Sequence, residues 1–244
     1  MKGSTHALIG LAAASSFPID SSITGPEKLL PFVFAYTGAL ICDIDTGTSK
    51  VSNMLNPIKQ KYVITIVNVL FLLSCILGAI YLKDSKYMYL FISLMVLGGL
   101  NLNNISSKVF SIVKKVAIIA ISVGLVLSGV IYTQPPVILI GLFLLAMVFS
   151  PHRGYSHSLV AVVVAFFILK YAFSFYNLFD YSLYFCIGML SHILADMFTQ
   201  RGVPLLFPIQ KKYSFPITFK TGSSFEIVFC GLSIVIISIN VIIK

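Results

Sequence analysis

The chain has 244 residues, 58% hydrophobic and only 10% charged, with a mean hydropathy of +0.98 and a net charge of +9. Soluble globular domains carry roughly 25% charged residues, so the composition excludes an ordinary water-soluble fold and indicates an integral membrane protein. A basic balance also suits nucleic acid, but Lys and Arg collect in the cytoplasmic connections of membrane proteins, and here the lysines cluster between apolar stretches, at Lys50–Lys61, Lys108–Lys115 and Lys211–Lys220.

The first stretch, "MKGSTHALIGLAAASSFP", has the single lysine and small residues of a signal peptide, but His6 stands at the start of its apolar run. A short first helix packed among others is the expectation, rather than a leader. Leu29–Ile41 is the second apolar segment and runs into "CDIDTGTS". Asp43 and Asp45 there have two readings: a capped chain reversal, since Asp, Thr and Gly are turn residues, or carboxylates for one or two metal ions.

Tyr62–Leu82 runs 21 residues without a charge, enough to cross a bilayer that needs ~20. Tyr87–Leu102, Val116–Thr133 and Val137–Phe149 follow, separated by short polar connections, and nothing in this middle region carries chemistry.

"SPHRGYSHSL" comes next. Gly154 is expected to permit a tight turn that brings His152 and His157 together. Arg153 offers a rigid fork of donors suited to phosphate or carboxylate. The alternative is a positively charged anchor with interfacial histidines.

After Leu159–Phe175, the segment Tyr181–Phe198 contains "SHILADMF". His192 and Asp196, four residues apart, share one helix face. They suit either a shared divalent ion or a single intrahelical hydrogen bond. Phe225–Ile243 closes the chain with Glu226 as its one charge. Ser223 three residues earlier makes a capping box, and a late metal ligand or base is the other reading.

Cys42, Cys75, Cys186 and Cys230 lie scattered in apolar stretches without CxxC spacing, so they read as small hydrophobes, not a disulfide frame or zinc ribbon. The chain lacks GxxxxGK[ST], HExxH and GxSxG, which argues against a P-loop, a zincin protease and a nucleophile elbow.

Placing the basic connections in the cytoplasm brings Asp43, Asp45 and every histidine to one membrane face. The predicted fold is therefore all-α: a single domain, 1–244, forming a polytopic bundle of about five to nine membrane-embedded helices with a polar site near one face. His6, His152, His157, His192, Asp43, Asp45 and Asp196 exceed one tetrahedral site and suit a two- or three-metal hydrolytic centre. Arg153 would then hold a substrate anion.

"THALIG", "DID", "HRGYSHSL" and "GMLSHILADMFTQRGVPLLFPI" resemble the YdjM family of inner-membrane metal-dependent hydrolases. The resemblance covers these four blocks, in order, and omits Tyr62–Phe149. It implies distant similarity to the zinc-dependent phospholipase C and S1/P1-type nuclease fold, with zinc, or alternatively manganese, held by His, Asp and Glu. Carried over by motif, the ligands are His6, Asp43, Asp45, His157, His192 and Asp196, with His152 and Glu226 as secondary candidates. Arg153, His152 and Asp45 are the catalytic candidates. Family members often read "DIDH", whereas this chain has Thr46, which puts one ligand in doubt.

The expected activity is a phosphoesterase, phospholipase C-like, on a lipid or lipid-linked phosphate at the cytoplasmic face of the inner membrane. A metal or solute transporter and a membrane-anchored nuclease are the alternatives. Nucleic acid is disfavoured because the basic residues do not interleave with aromatics.

Overall fold

The computed structural model describes residues 1–20, 23–44, 59–151 and 153–243. The expectations on Asp45 and His152 fall outside the described residues. Among those described, the chain is helical, with only two isolated β-bridges. It divides into two compact units, Met1–Ser52 with Ile118–Lys244, and Asn53–Ala117.

In the first unit, α1 (Gly3–Ser15), α2 (Leu30–Ile41) and α8 (Ser182–Met197) pack against one another. Helix α8 is central: eleven of its sixteen residues are buried, polar ones included. A helix buried around most of its circumference must meet its neighbours closely, and two glycines make this possible. A Cβ on Gly188 would lie 2.0 Å from the Ala35 carbonyl oxygen of α2, and one on Gly38 would lie 2.1 Å from that of Phe185. The α2 and α8 backbones thus touch with no side chain between them.

Helices α6 (Pro135–Phe149), α7 (Leu159–Phe175) and α9 (Ser224–Ile243) complete this unit. Helix α7 packs on α6 and α8, and α9 on α1. Ser158 caps α7 by accepting from the Ala161 amide, a role its hydroxyl suits. Cys42, Ile44, Met147, Ala161, Met189 and Ile193 form a core. None of the four cysteines forms a disulfide among the described residues, and Cys42 and Cys186 are buried.

In the second unit, α3 (Gln60–Leu82) and α4 (Met88–Leu100) pack on each other. The Phe91 ring covers Gly78 and that of Phe71 approaches Gly98. Helix α5 (Leu102–Ile131) begins one residue after α4. This corrects one sequence expectation: Lys108, Lys114 and Lys115 lie within a 30-residue helix, not in a loop. Charged side chains on an amphipathic helix keep its 3.6-residue pattern intact, whereas the charge cluster alone resembles a connection. Lys114 is buried, with Nζ 4.7 Å from the Phe110 ring centre.

Helices α3 and α5 are long and apolar enough to cross a membrane. Leu70, Leu72, Leu77 and Ile80 of α3 are exposed. A helix apolar all round with so little of it covered by protein suits hydrocarbon as its surrounding.

Candidate metal centre

Four chain segments converge at the C-terminal ends of α2 and α8. Helix α2 ends at Ile41 and the following turn, with the Asp43 amide on the Leu40 carbonyl, carries the Asp43 carboxylate. The turn Tyr155–His157 brings in His157, α8 supplies His192 and Asp196, and α1 supplies His6. His6, His157, His192 and Asp196 are all buried, while Asp43 is partly open.

His192 is oriented by the backbone. Its Nδ1 lies 2.6 Å from the Ala39 carbonyl oxygen. A carbonyl only accepts, so Nδ1 carries the proton and Nε2 offers its lone pair to the interior. An outer hydrogen bond of this kind fixes metal-ligating imidazoles. Ser156 Oγ meets His157 Nδ1 at 2.9 Å and turns His157 Nε2 the same way.

The two Nε2 atoms stand 3.2 Å apart. His157 Nε2 is 3.5 Å from Asp43 Oδ1 and 3.5 Å from Asp196 Oδ2. His192 Nε2 is 3.9 Å from each of these oxygens. Ligands ~2.1 Å from a tetrahedral ion lie about 3.4 Å from one another, so His157, His192 and Asp196 have the spacing to hold a zinc-sized ion, with Asp43 beside His157. At 3.9 Å, His192 and Asp196 make no direct hydrogen bond, and that reading of the motif falls away.

His6 extends the site. Its ring stacks on His192 with centroids 3.7 Å apart, and its Nε2 lies 3.4 Å from Asp196 Oδ1. His6 Nδ1 is buried without a hydrogen-bond partner, an expensive state for a polar atom. Together, His6, Asp43 and His192 form a second group with metal-holding spacing, overlapping the group His157, His192 and Asp196.

The carboxylates hold charge on His157. Burial alone would lower the His157 pKa, but hydrogen bonds with Asp196 and Asp43 raise it to about 9. Burial would raise that of Asp43, yet His157, His192 and His6 hold it well below the usual carboxylate range.

Arg153 differs from expectation. Its Nη2 is 3.0 Å from Asp196 Oδ2, and its Nη1 donates to Thr199 Oγ1 at 3.0 Å and to the Gly202 carbonyl at 2.9 Å. The fork expected to take a substrate anion is thus already engaged in holding Asp196. The tight turn also differs: Arg153, not Gly154, adopts the positive φ of 59°. Gly154 is needed for space, since a Cβ there would lie 2.4 Å from Ser150 Oγ.

Glu226 stands outside both His/Asp groups. It accepts from the Lys2 amide at 2.5 Å, Thr5 Oγ1 at 2.7 Å and the Gly222 amide at 2.6 Å, tying the start of α1 to the start of α9. The capping box expected with Ser223 is replaced by these bonds, and Ser223 Oγ is left buried without a partner. Glu226→Ala is expected to destabilise the protein by roughly 3 kcal/mol, since it strands three donors. Its metal content, measured by mass spectrometry beside the melting curve, should stay unchanged.

Sequence reasoning missed the Ala39 carbonyl, which no side chain advertises. It also missed Thr199, which receives Arg153 while donating to the Asp196 carbonyl at 2.7 Å, and the Met1 amino group, 3.3 Å from Asp196 Oδ1. Thr199 stands three residues after Asp196 in "ADMFTQRG", a spacing that signals a side-chain bond to a helix terminus.

The sequence profile described as "YdjM inner membrane protein" matches residues 1–243. The chain belongs to the YdjM family. "Inner membrane protein YdjM" of Escherichia coli (strain K12) is 42% identical over 82 residues, 32% of this chain and 42% of that protein. The protein of the same name from Shigella flexneri gives the same values. "Uncharacterized protein YvsG" of Bacillus subtilis (strain 168) is 37% identical over 84 residues, 34% of this chain and 51% of that protein. The chain thus spans about half or less of the length of the curated relatives it matches. No solved structure matches, so the likeness to phospholipase C rests on the motif resemblance alone.

Proposed function

We propose that this YdjM-family chain is a multi-pass, metal-dependent hydrolase of the inner membrane. The reaction we infer is phosphoester hydrolysis of a lipid or lipid-linked phosphate. One observation carries this reading: His157 Nε2, His192 Nε2 and Asp196 Oδ2 lie at metal-holding spacing, with Asp43 Oδ1 3.5 Å from His157 Nε2, beside a cavity of about 490 Å³ that Asp43 and Asp196 line. Borderline nitrogen and carboxylate donors suit zinc, and manganese also accepts them. Zinc in such a site supplies Lewis acidity and an activated water.

The chain's own residues prepare that site. Ala39 and Ser156 aim the two imidazoles, Arg153 and Thr199 hold Asp196, and His6 Nε2 stands 3.4 Å from Asp196 Oδ1. The overlapping His6 group offers an alternative seat for the ion, since the two groups share His192 and its Nε2 has one lone pair to give. We assign further membrane segments to α4, α6, α7, α8 and α9, the shorter apolar helices. We assign the site to the cytoplasmic face, on the positive-inside bias of the basic connection Lys211–Lys220.

The test is phosphate release from a panel of phospholipids and polyprenyl phosphates, with detergent-purified protein before and after chelation. Release that chelator abolishes and zinc restores is the expected result. Bound metal without turnover of any class, together with metal flux in proteoliposomes, would favour a transporter instead.

A further inference from the structure

With Arg153 committed to Asp196, the cavity needs another partner for an anion. Its wall contains two carboxylates, Asp43 and Asp196, and, besides the Met1 amino group that meets Asp196, three cationic side chains, Arg153, Arg201 and Lys220. The carboxylates are matched from behind by imidazoles and by Arg153. Arg201 and Lys220 are exposed, and neither pairs with an acid among the described residues. A divalent ion would add to the positive surplus.

The backbone that carries these two cations is held in place. Their segments are joined by backbone bonds: the Phe219 amide donates to the Phe198 carbonyl, the Phe215 amide to the Met197 carbonyl, and Val203 and Tyr213 exchange a pair. Thr199 and Phe219 form a parallel bridge between the same segments. The cationic wall is therefore fixed to the end of α8, the helix that carries His192 and Asp196.

We propose that Arg201 and Lys220 form the anion-receiving wall of this cavity and select a ligand that presents a phosphate group beside Asp43 and Asp196. The selection deepens the hydrolase reading and rests on it for the reaction, though not for the binding. Arg supplies a bidentate fork and Lys a point charge, the usual pair for phosphate.

The experiment uses the full chain in detergent, as wild type and as the double variant Arg201→Gln/Lys220→Gln. Calorimetry follows inorganic phosphate, short-chain phosphatidic acid and short-chain phosphatidylcholine, with metal content measured alongside. The expected result is phosphate-group binding weakened by roughly tenfold or more in the double variant, as loss of two charge-assisted contacts implies, at unchanged metal content. Arg201→Lys/Lys220→Arg should restore most of it. Loss confined to phosphatidic acid identifies a lipid headgroup as the ligand, and loss shared by inorganic phosphate identifies the phosphate group itself.

Undiminished binding in the double variant, or no binding of either phosphate species by the wild type, overturns the proposal. A wild type without metal that still loses phosphate on substitution would overturn the hydrolase reading and leave the anion wall standing.

Discussion

His192→Ala is expected to leave the helices folded and to strip the protein of its metal. His192 is fully buried, and its Nε2 lies 3.2 Å from His157 Nε2 and 3.9 Å from both Asp43 Oδ1 and Asp196 Oδ2. It belongs to both metal-holding groups, so its loss impairs either seat. Deleting an outer-shell partner already costs 10–100-fold in metal affinity, and removing a direct ligand should exceed that.

The stability cost is smaller. The alanine leaves the Ala39 carbonyl without its donor, worth about 1–3 kcal/mol. Asp196→Ala should also lose metal, with a larger stability cost because Arg153 is then left buried without its carboxylate. Mass spectrometry for metal beside circular dichroism separates the two effects. Full metal content in both variants would place the ion elsewhere and remove the basis of the proposed reaction.

Gly188→Val is expected to lower stability and metal content together. Its Cβ would fall 2.0 Å from the Ala35 carbonyl oxygen and 2.8 Å from the Ala39 amide nitrogen. Both obstructing atoms are backbone, which no rotamer change can move aside, so α2 and α8 must separate. Overpacking against movable side chains costs 1–3 kcal/mol, and a rigid obstacle puts this substitution at the upper end or beyond. A loss of ~3 kcal/mol lowers the melting temperature by roughly 6–12 °C in a chain of this size.

Separation of α2 also carries the Ala39 carbonyl away from His192 and Asp43 away from His157, so metal falls with fold. Gly231→Ala in α9 is the contrast. Nothing lies within 4 Å of its Cβ position, and alanine favours a helix over glycine by about 1 kcal/mol. An unchanged melting temperature in Gly188→Val would refute the close helix contact.

Much of the site was legible because its ligands are ionisable residues in an otherwise apolar chain, and such residues stand out. His192 and Asp196 gave a helix face directly, and His6, Asp43 and His157 were legible as polar intrusions at segment ends. Arg153 was legible as important but not in its role. A guanidinium beside a carboxylate 43 residues away in sequence leaves no local pattern. Glu226 misled for a similar reason, since its partners Lys2 and Thr5 lie over 200 residues away. The lysines of α5 misled because charge usually interrupts helices at a membrane boundary. The backbone contact of Gly38 and Gly188 is invisible in composition, because glycine in an apolar helix gives no sign of what it approaches.

Every described ligand, and both cations of the wall, come from the unit made of Met1–Ser52 and Ile118–Lys244. The stretch 53–117 supplies none of them, yet it contains all of α3 and α4 and the start of α5. Part of the anchorage is thus written apart from the chemistry. Substitutions in α3 and α4 that keep them apolar can follow a change in bilayer thickness without altering a ligand. The ends of α2 and α8 have no such latitude. Related proteins should accordingly vary in length and sequence across 53–117 far more than in the residues that hold the ion.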